Sequence, residues 1–68
     1  SQRLIMHATG ASPEAAARAL EAADGHTKLA ILMVKTGRDA ARAQRLLDSC
    51  EGRLRQAIQI AEEEDRNV

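Results

Sequence analysis

Apolar residues in this chain recur at helical spacing, in short runs that each end at a glycine. The clearest run is Ala16, Ala19, Leu20 and Ala23, which share one face of a helix. Ser12-Pro13-Glu14 opens it: Ser12 suits the N-cap, Pro13 the first helical position, and Glu14 the positive end of the helix dipole. Gly25 ends it. Before it, the pattern predicts a first helix from the start to about Ala8, with Leu4, Ile5 and Ala8 on its apolar side and Gly10 closing it. A third helix is expected over about Thr27 to Thr36, although Leu29 to Val34 is apolar all the way round and periodicity alone also fits a buried strand. No neighbouring segment alternates as a partner strand would. Asp39 caps a fourth helix, where Ala43, Leu46, Leu47 and Cys50 face inward until Gly52. The fifth runs from about Leu54 to Glu64 and buries Leu54, Ala57, Ile58 and Ala61. It ends in Glu62-Glu63-Glu64-Asp65, acid at the negative end of the dipole, so fraying is expected there. The fold class is all-α, with five short helices.

The glycines also expose a duplication. Gly10, Gly25, Gly37 and Gly52 are separated by 15, 12 and 15 residues, so the second pair repeats the first at an offset of 27. That offset superposes Met6 on Met33, Thr9 on Thr36, Ala16 on Ala43, Leu20 on Leu47, and Ala30-Ile31 on Ala57-Ile58. The third helix belongs to both copies, as the last element of one and the first of the next. A helix without a polar face must be covered on more than one side, and sharing explains how. Two overlapping three-helix units are expected, about 1–36 and about 28–64, joined at this helix within a single domain of residues 1–68. On this reading Met33 is covered from both sides, and the helix has no solvent face.

Composition narrows the function. At 68 residues and 44% hydrophobic, with no Phe, Tyr or Trp, the chain has a core of small aliphatic side chains, suited to close helix packing but poor in buried area. Ten basic and ten acidic residues give zero formal net charge, so no global field draws nucleic acid or an anionic membrane. Leu29 to Val34, the longest apolar run, falls far short of the ~18–20 residues that span a bilayer. A single cysteine excludes an internal disulfide and fits a reducing compartment. The chain begins Ser1-Gln2-Arg3, already helical in composition, which is expected of a fragment of something longer.

Chemistry-bearing residues are sparse. Cys50, His7 and His26 lack metal-ligand spacing, and Cys50 falls on Ala23 in the repeat, the position of a small buried hydrophobe. Ser12 and Thr27 are expected as caps, and Ser49 has no histidine near it in sequence. No catalytic residue, metal site or cofactor is assigned. Arg38, Arg42 and Arg45 form a basic stripe on the fourth helix, extended by Arg53 and Arg55; it reads as a solvated face answered by Glu62 to Asp65, or as an anion contact. Lys28, at the start of the third helix where the dipole favours an anion, is the candidate for touching a sugar phosphate.

Leu4 through Ile31, with the Thr9-Gly10 turn, Ala19-Leu20, Ala23-Asp24-Gly25 and Lys28-Leu29-Ala30, resembles the ubiquitin-associated (UBA) three-helix fold. More specifically, Ala22-Ala23-Asp24-Gly25, Lys28-Leu29-Ala30-Ile31-Leu32-Met33 and Thr36-Gly37-x-Asp39 resemble the C-terminal helical region of the N-acetylmuramic acid 6-phosphate etherases. Ile5-Met6-His7-Ala8-Thr9-Gly10 and Gly52-Arg53-Leu54-Arg55-x-Ala57 continue the likeness, which runs to about Ile60. The chain departs from that pattern at Lys35, Arg38, His26 and Arg53.

The resemblance implies a cytoplasmic bacterial lyase of cell-wall recycling. Such an enzyme opens the D-lactyl ether of its substrate without a metal, giving N-acetylglucosamine 6-phosphate and D-lactate. Its catalytic acids lie in an upstream sugar-isomerase domain absent here. By the same resemblance this stretch is a non-catalytic accessory domain that supplies homodimer contacts or a lid over the sugar-phosphate pocket. The alternative is a free-standing UBA-like protein-binding module using the Thr9-Gly10 loop and the third helix. It would need an apolar patch at that loop, where this chain has Ala11.

Overall fold

In a computed structural model, which describes residues 1–67, the chain forms α1 (Gln2–Thr9), α2 (Pro13–Ala22), α3 (Thr27–Thr36), α4 (Ala40–Ser49) and α5 (Leu54–Arg66). Among the described residues there is no strand. The caps act as their side chains dictate. Ser12 Oγ accepts from the Ala15 amide at 3.1 Å, and Asp39 Oδ1 from the Arg42 amide at 2.8 Å, each satisfying a donor that the helix leaves unpaired. Thr27 corrects the expected assignment: it is the first residue of α3, and the cap position falls to His26, which makes no side-chain cap bond.

The 27-residue repeat holds at the level of single atoms. Gly10 and Gly37 close α1 and α3 in the left-handed region, φ 76° and 73°, and donate to the Met6 and Met33 carbonyls. Thr9 and Thr36 each turn Oγ1 back to the carbonyl four residues earlier, at 2.7 Å in both cases. After α2, Gly25 donates to Leu20 O; after α4, Gly52 donates to Leu47 O; both distances are 2.9 Å. Asp24 and Glu51, at φ 55° and 57°, precede those glycines, and each left-handed pair reverses the chain.

α3 packs against each of the other four helices, while α1 packs with α2 and α4 with α5. Ile5 and Leu32, repeat equivalents, are the largest side chains at 0% exposure. Around them Ala16, Ala30, Ala43, Ala57 and Ala61 are fully buried, and these small side chains let the helices approach closely. Among the described residues no polar or charged side chain is buried.

Applying the offset a second time reaches α5 and explains what is polar. Positions 5, 32 and 59 carry Ile, Leu and Gln: the first two are buried and followed by further helices, whereas Gln59 is exposed. Positions 3, 30 and 57 run the other way. Arg3 is exposed, and Ala30 and Ala57, each preceded by a helical pair, are fully buried. Each helix in the series α1, α3, α5 thus presents one face to the elements before it and another to those after. At these two positions the residue is apolar where this chain supplies a neighbour, as in repeat proteins whose units contact only adjacent units.

Three expectations need correction. Leu4, read as inward, is 58% exposed and Ala8 is exposed too, because α1 meets only α2 and α3 closely and buries a single residue fully. α3 does have a partly open side: Leu29 to Leu32 are buried, but Met33 and Val34 are half-buried and Lys35 exposed. A ten-residue helix is about 15 Å long, and its neighbours cover its first half best. α5 does not stop at about Glu64 but continues through Arg66.

Candidate functional site

Among the described residues no hydrogen bond links Lys28, His26, His7 and Cys50 to one another. Lys28 is exposed in the first turn of α3, and its Nζ donates to the Gly52 carbonyl at 2.9 Å, tying it to the turn between α4 and α5. His26 and His7 are exposed on different elements. Cys50 is 3% exposed in the core, as its pairing with Ala23 predicts. The neighbouring Ser49 donates Oγ to the Leu46 carbonyl at 2.7 Å. Among the described residues no group of three or more His, Cys, Asp or Glu side chains is placed to hold a metal ion. Nor is any helix there long and apolar enough to cross a membrane.

The basic stripe divides in two. Arg38 lies before the cap of α4, not on that helix, and its guanidinium donates to Glu64 Oε1 at 2.9 Å and sits 3.6 Å from Asp65 Oδ1. Its side chain is only 16% exposed. This contact accounts for the end of α5: a cation from outside the helix offsets acid placed where the dipole disfavours it, and Arg66 adds a second cation in the last turn. Arg42 and Arg45 form no ion pair among the described residues and, with Arg38, Leu46 and Glu64, line an open polar pocket of about 490 Å³. Arg53 pairs only loosely, at 3.8 Å, with Glu51, both well exposed. Arg38→Ala is expected to cost about 1 kcal/mol globally, because the acids are exposed while the largely covered arginine stem also packs. The amides of residues 63–66 should nevertheless lose hydrogen-exchange protection selectively, and unchanged protection there would show that the pair does not hold the helix end.

A second feature was not visible from motifs. Ala8, Ile31, Lys35, Leu54, Arg55 and Ile58 line a largely apolar groove of about 360 Å³, formed by residues of α1, α3 and α5. The signal for it lies in the repeat: Leu4, Ile31 and Ile58 occupy one position in three successive copies.

No family model matches the chain, and no solved structure does. Curated relatives do. The chain is 45% identical over 60 residues to N-acetylmuramic acid 6-phosphate etherase 1 of Bacillus licheniformis, covering 88% of this chain and 20% of the relative. It is 46% identical over 57 residues to the N-acetylmuramic acid 6-phosphate etherase of Mycolicibacterium smegmatis (84% and 19% covered). Over 57 residues it is 49% identical to that of Microcystis aeruginosa, again with 84% and 19% covered. The chain therefore spans about one fifth of the length of the relatives it matches. On this similarity, the chain belongs with the N-acetylmuramic acid 6-phosphate etherases, as the counterpart of a segment of about one fifth of such an enzyme.

Proposed function

We propose that the chain works as a non-catalytic accessory segment of an N-acetylmuramic acid 6-phosphate etherase. It contacts the larger part of that enzyme and contributes dimer contacts or a lid over the sugar-phosphate pocket. The observation that carries this reading is identity of 45–49% across 84–88% of the chain, against only 19–20% of each etherase. That no hydrogen bond joins Lys28, His26, His7 and Cys50 to one another among the described residues supports placing the chemistry in the other four fifths, since catalysis needs its groups within hydrogen-bond reach. On this reading the parent opens the D-lactyl ether of its sugar phosphate in the cytoplasm. Lys28, free to leave the Gly52 carbonyl because it is exposed, is the cation that meets the phosphate.

The test uses the Bacillus licheniformis etherase in two forms: one lacking the matching segment, and one carrying this chain in its place. Deletion should raise the KM for the sugar phosphate at least tenfold or dissociate the dimer, and the graft should restore both. Deletion that changes neither kinetics nor oligomeric state would refute the accessory role. So would turnover of the substrate by the 68-residue chain alone.

A further inference from the structure

We infer that the groove of α1, α3 and α5 is the face on which the rest of an etherase chain docks, its occupant being an amphipathic helix with acidic residues along its rim. The inference rests on the accessory role proposed above and names the surface through which that role is exercised.

The groove is built by the repeat. Leu4, Ile31 and Ile58 occupy the same repeat position in α1, α3 and α5, so an apolar residue recurs there in each successive copy of the helix. Ile31 and Ile58 line the groove floor together with Leu54. Leu4 lies one turn before the groove residue Ala8 on the same face of α1, and it is the large hydrophobic side chain left exposed among the described residues. Apolar anchors at such spacing are what a helix laid in a groove requires of its receptor.

Charge selects the occupant. Lys35 and Arg55 are the charged residues lining the groove, and neither forms an ion pair among the described residues, whereas Arg38 and Arg53 do. An apolar floor with cations at its edge complements a helix whose apolar stripe is bordered by Asp or Glu, and repels one bordered by Lys or Arg. A source for that helix exists in the relatives, which are about five times as long as the span they share with this chain.

The experiment uses the Bacillus licheniformis etherase with this chain grafted in place of its matching segment. The graft carries Cys50→Ala, the residue present at the equivalent position 23, and Ala8→Cys, an exposed site on the groove wall. The rate at which a maleimide alkylates position 8 is read by mass spectrometry of its peptide, in the graft and in the 68-residue chain alone. Alkylation is expected to be at least tenfold slower in the graft. Lys35→Glu with Arg55→Glu, both at exposed positions, should bring the rate back toward that of the free chain. Equal rates in the graft and the free chain would overturn the proposal. Slowing that survives the charge reversal would exclude an acidic occupant, and slowing in the free chain that grows with its concentration would assign the groove to a second copy. An active graft alkylated at the free-chain rate refutes the docking face alone; a graft that fails to restore activity refutes the accessory role.

Discussion

Leu32→Asp is expected to leave the chain unfolded at 25 °C, with the helical circular dichroism signal lost and no cooperative melt. Leu32 is fully buried at the one place where helices from both ends of the chain converge, and no buried polar side chain is there to receive a charge. Removing a buried leucine costs about 2–5 kcal/mol, and an unpaired carboxylate adds several more. A domain of 68 residues has only about 3–10 kcal/mol of stability to lose, at the usual 0.05–0.15 kcal/mol per residue. The control is Gln59→Asp, the same repeat position in α5 but exposed, which should melt within a few degrees of the parent. A Leu32→Asp chain that melts cooperatively near the parent temperature would show that α3 is not the common core.

The second large effect runs in the opposite sense, by adding volume. Ala30→Leu should lower the stability by about 1–3 kcal/mol, because a fully buried alanine at a helix contact has no room for three further carbons. For a domain of this size each kcal/mol moves the melting temperature by about 4–8 °C. Ala57→Leu, the repeat equivalent and equally buried, should behave alike, while Arg3→Leu at the exposed first copy should stay within about 0.5 kcal/mol of the parent. Differential scanning calorimetry on the three variants decides the matter: equal shifts for all three would mean that the 27-residue register does not govern packing.

Much of this architecture can be read directly from the residues, because its signals are local. Ser12 and Asp39 mark helix starts by accepting from amides three residues on, Pro13 by its fixed backbone angle at the first helical position, and the glycines mark reversals through their own backbone angles. The burial of Cys50 follows from Ala23 once the repeat is seen. What local patterns miss depends on distant partners. The charge pattern sets the basic stripe against Glu62 to Asp65, but that Arg38 pairs there, and not Arg42 or Arg45, depends on residues 26 positions apart and lies beyond the dipole rule, which considers one helix at a time. Leu4 has helical periodicity but lacks a third neighbouring helix to cover it. The groove is hidden for a related reason: its lining comes from three elements, and only a second application of the offset brings Leu4, Ile31 and Ile58 into register.

That register makes length a quantised property of this scaffold. Because the turn after Gly25 and the turn after Gly52 share their geometry, a tandem copy of residues 26–52 would rejoin the chain at an equivalent junction and add one helical pair. An insertion of another size within a helix would rotate the later part of its apolar face away from its seat. Evolution or an engineer can therefore lengthen or shorten the bundle in whole helical pairs, moving whatever follows it by a set increment each time.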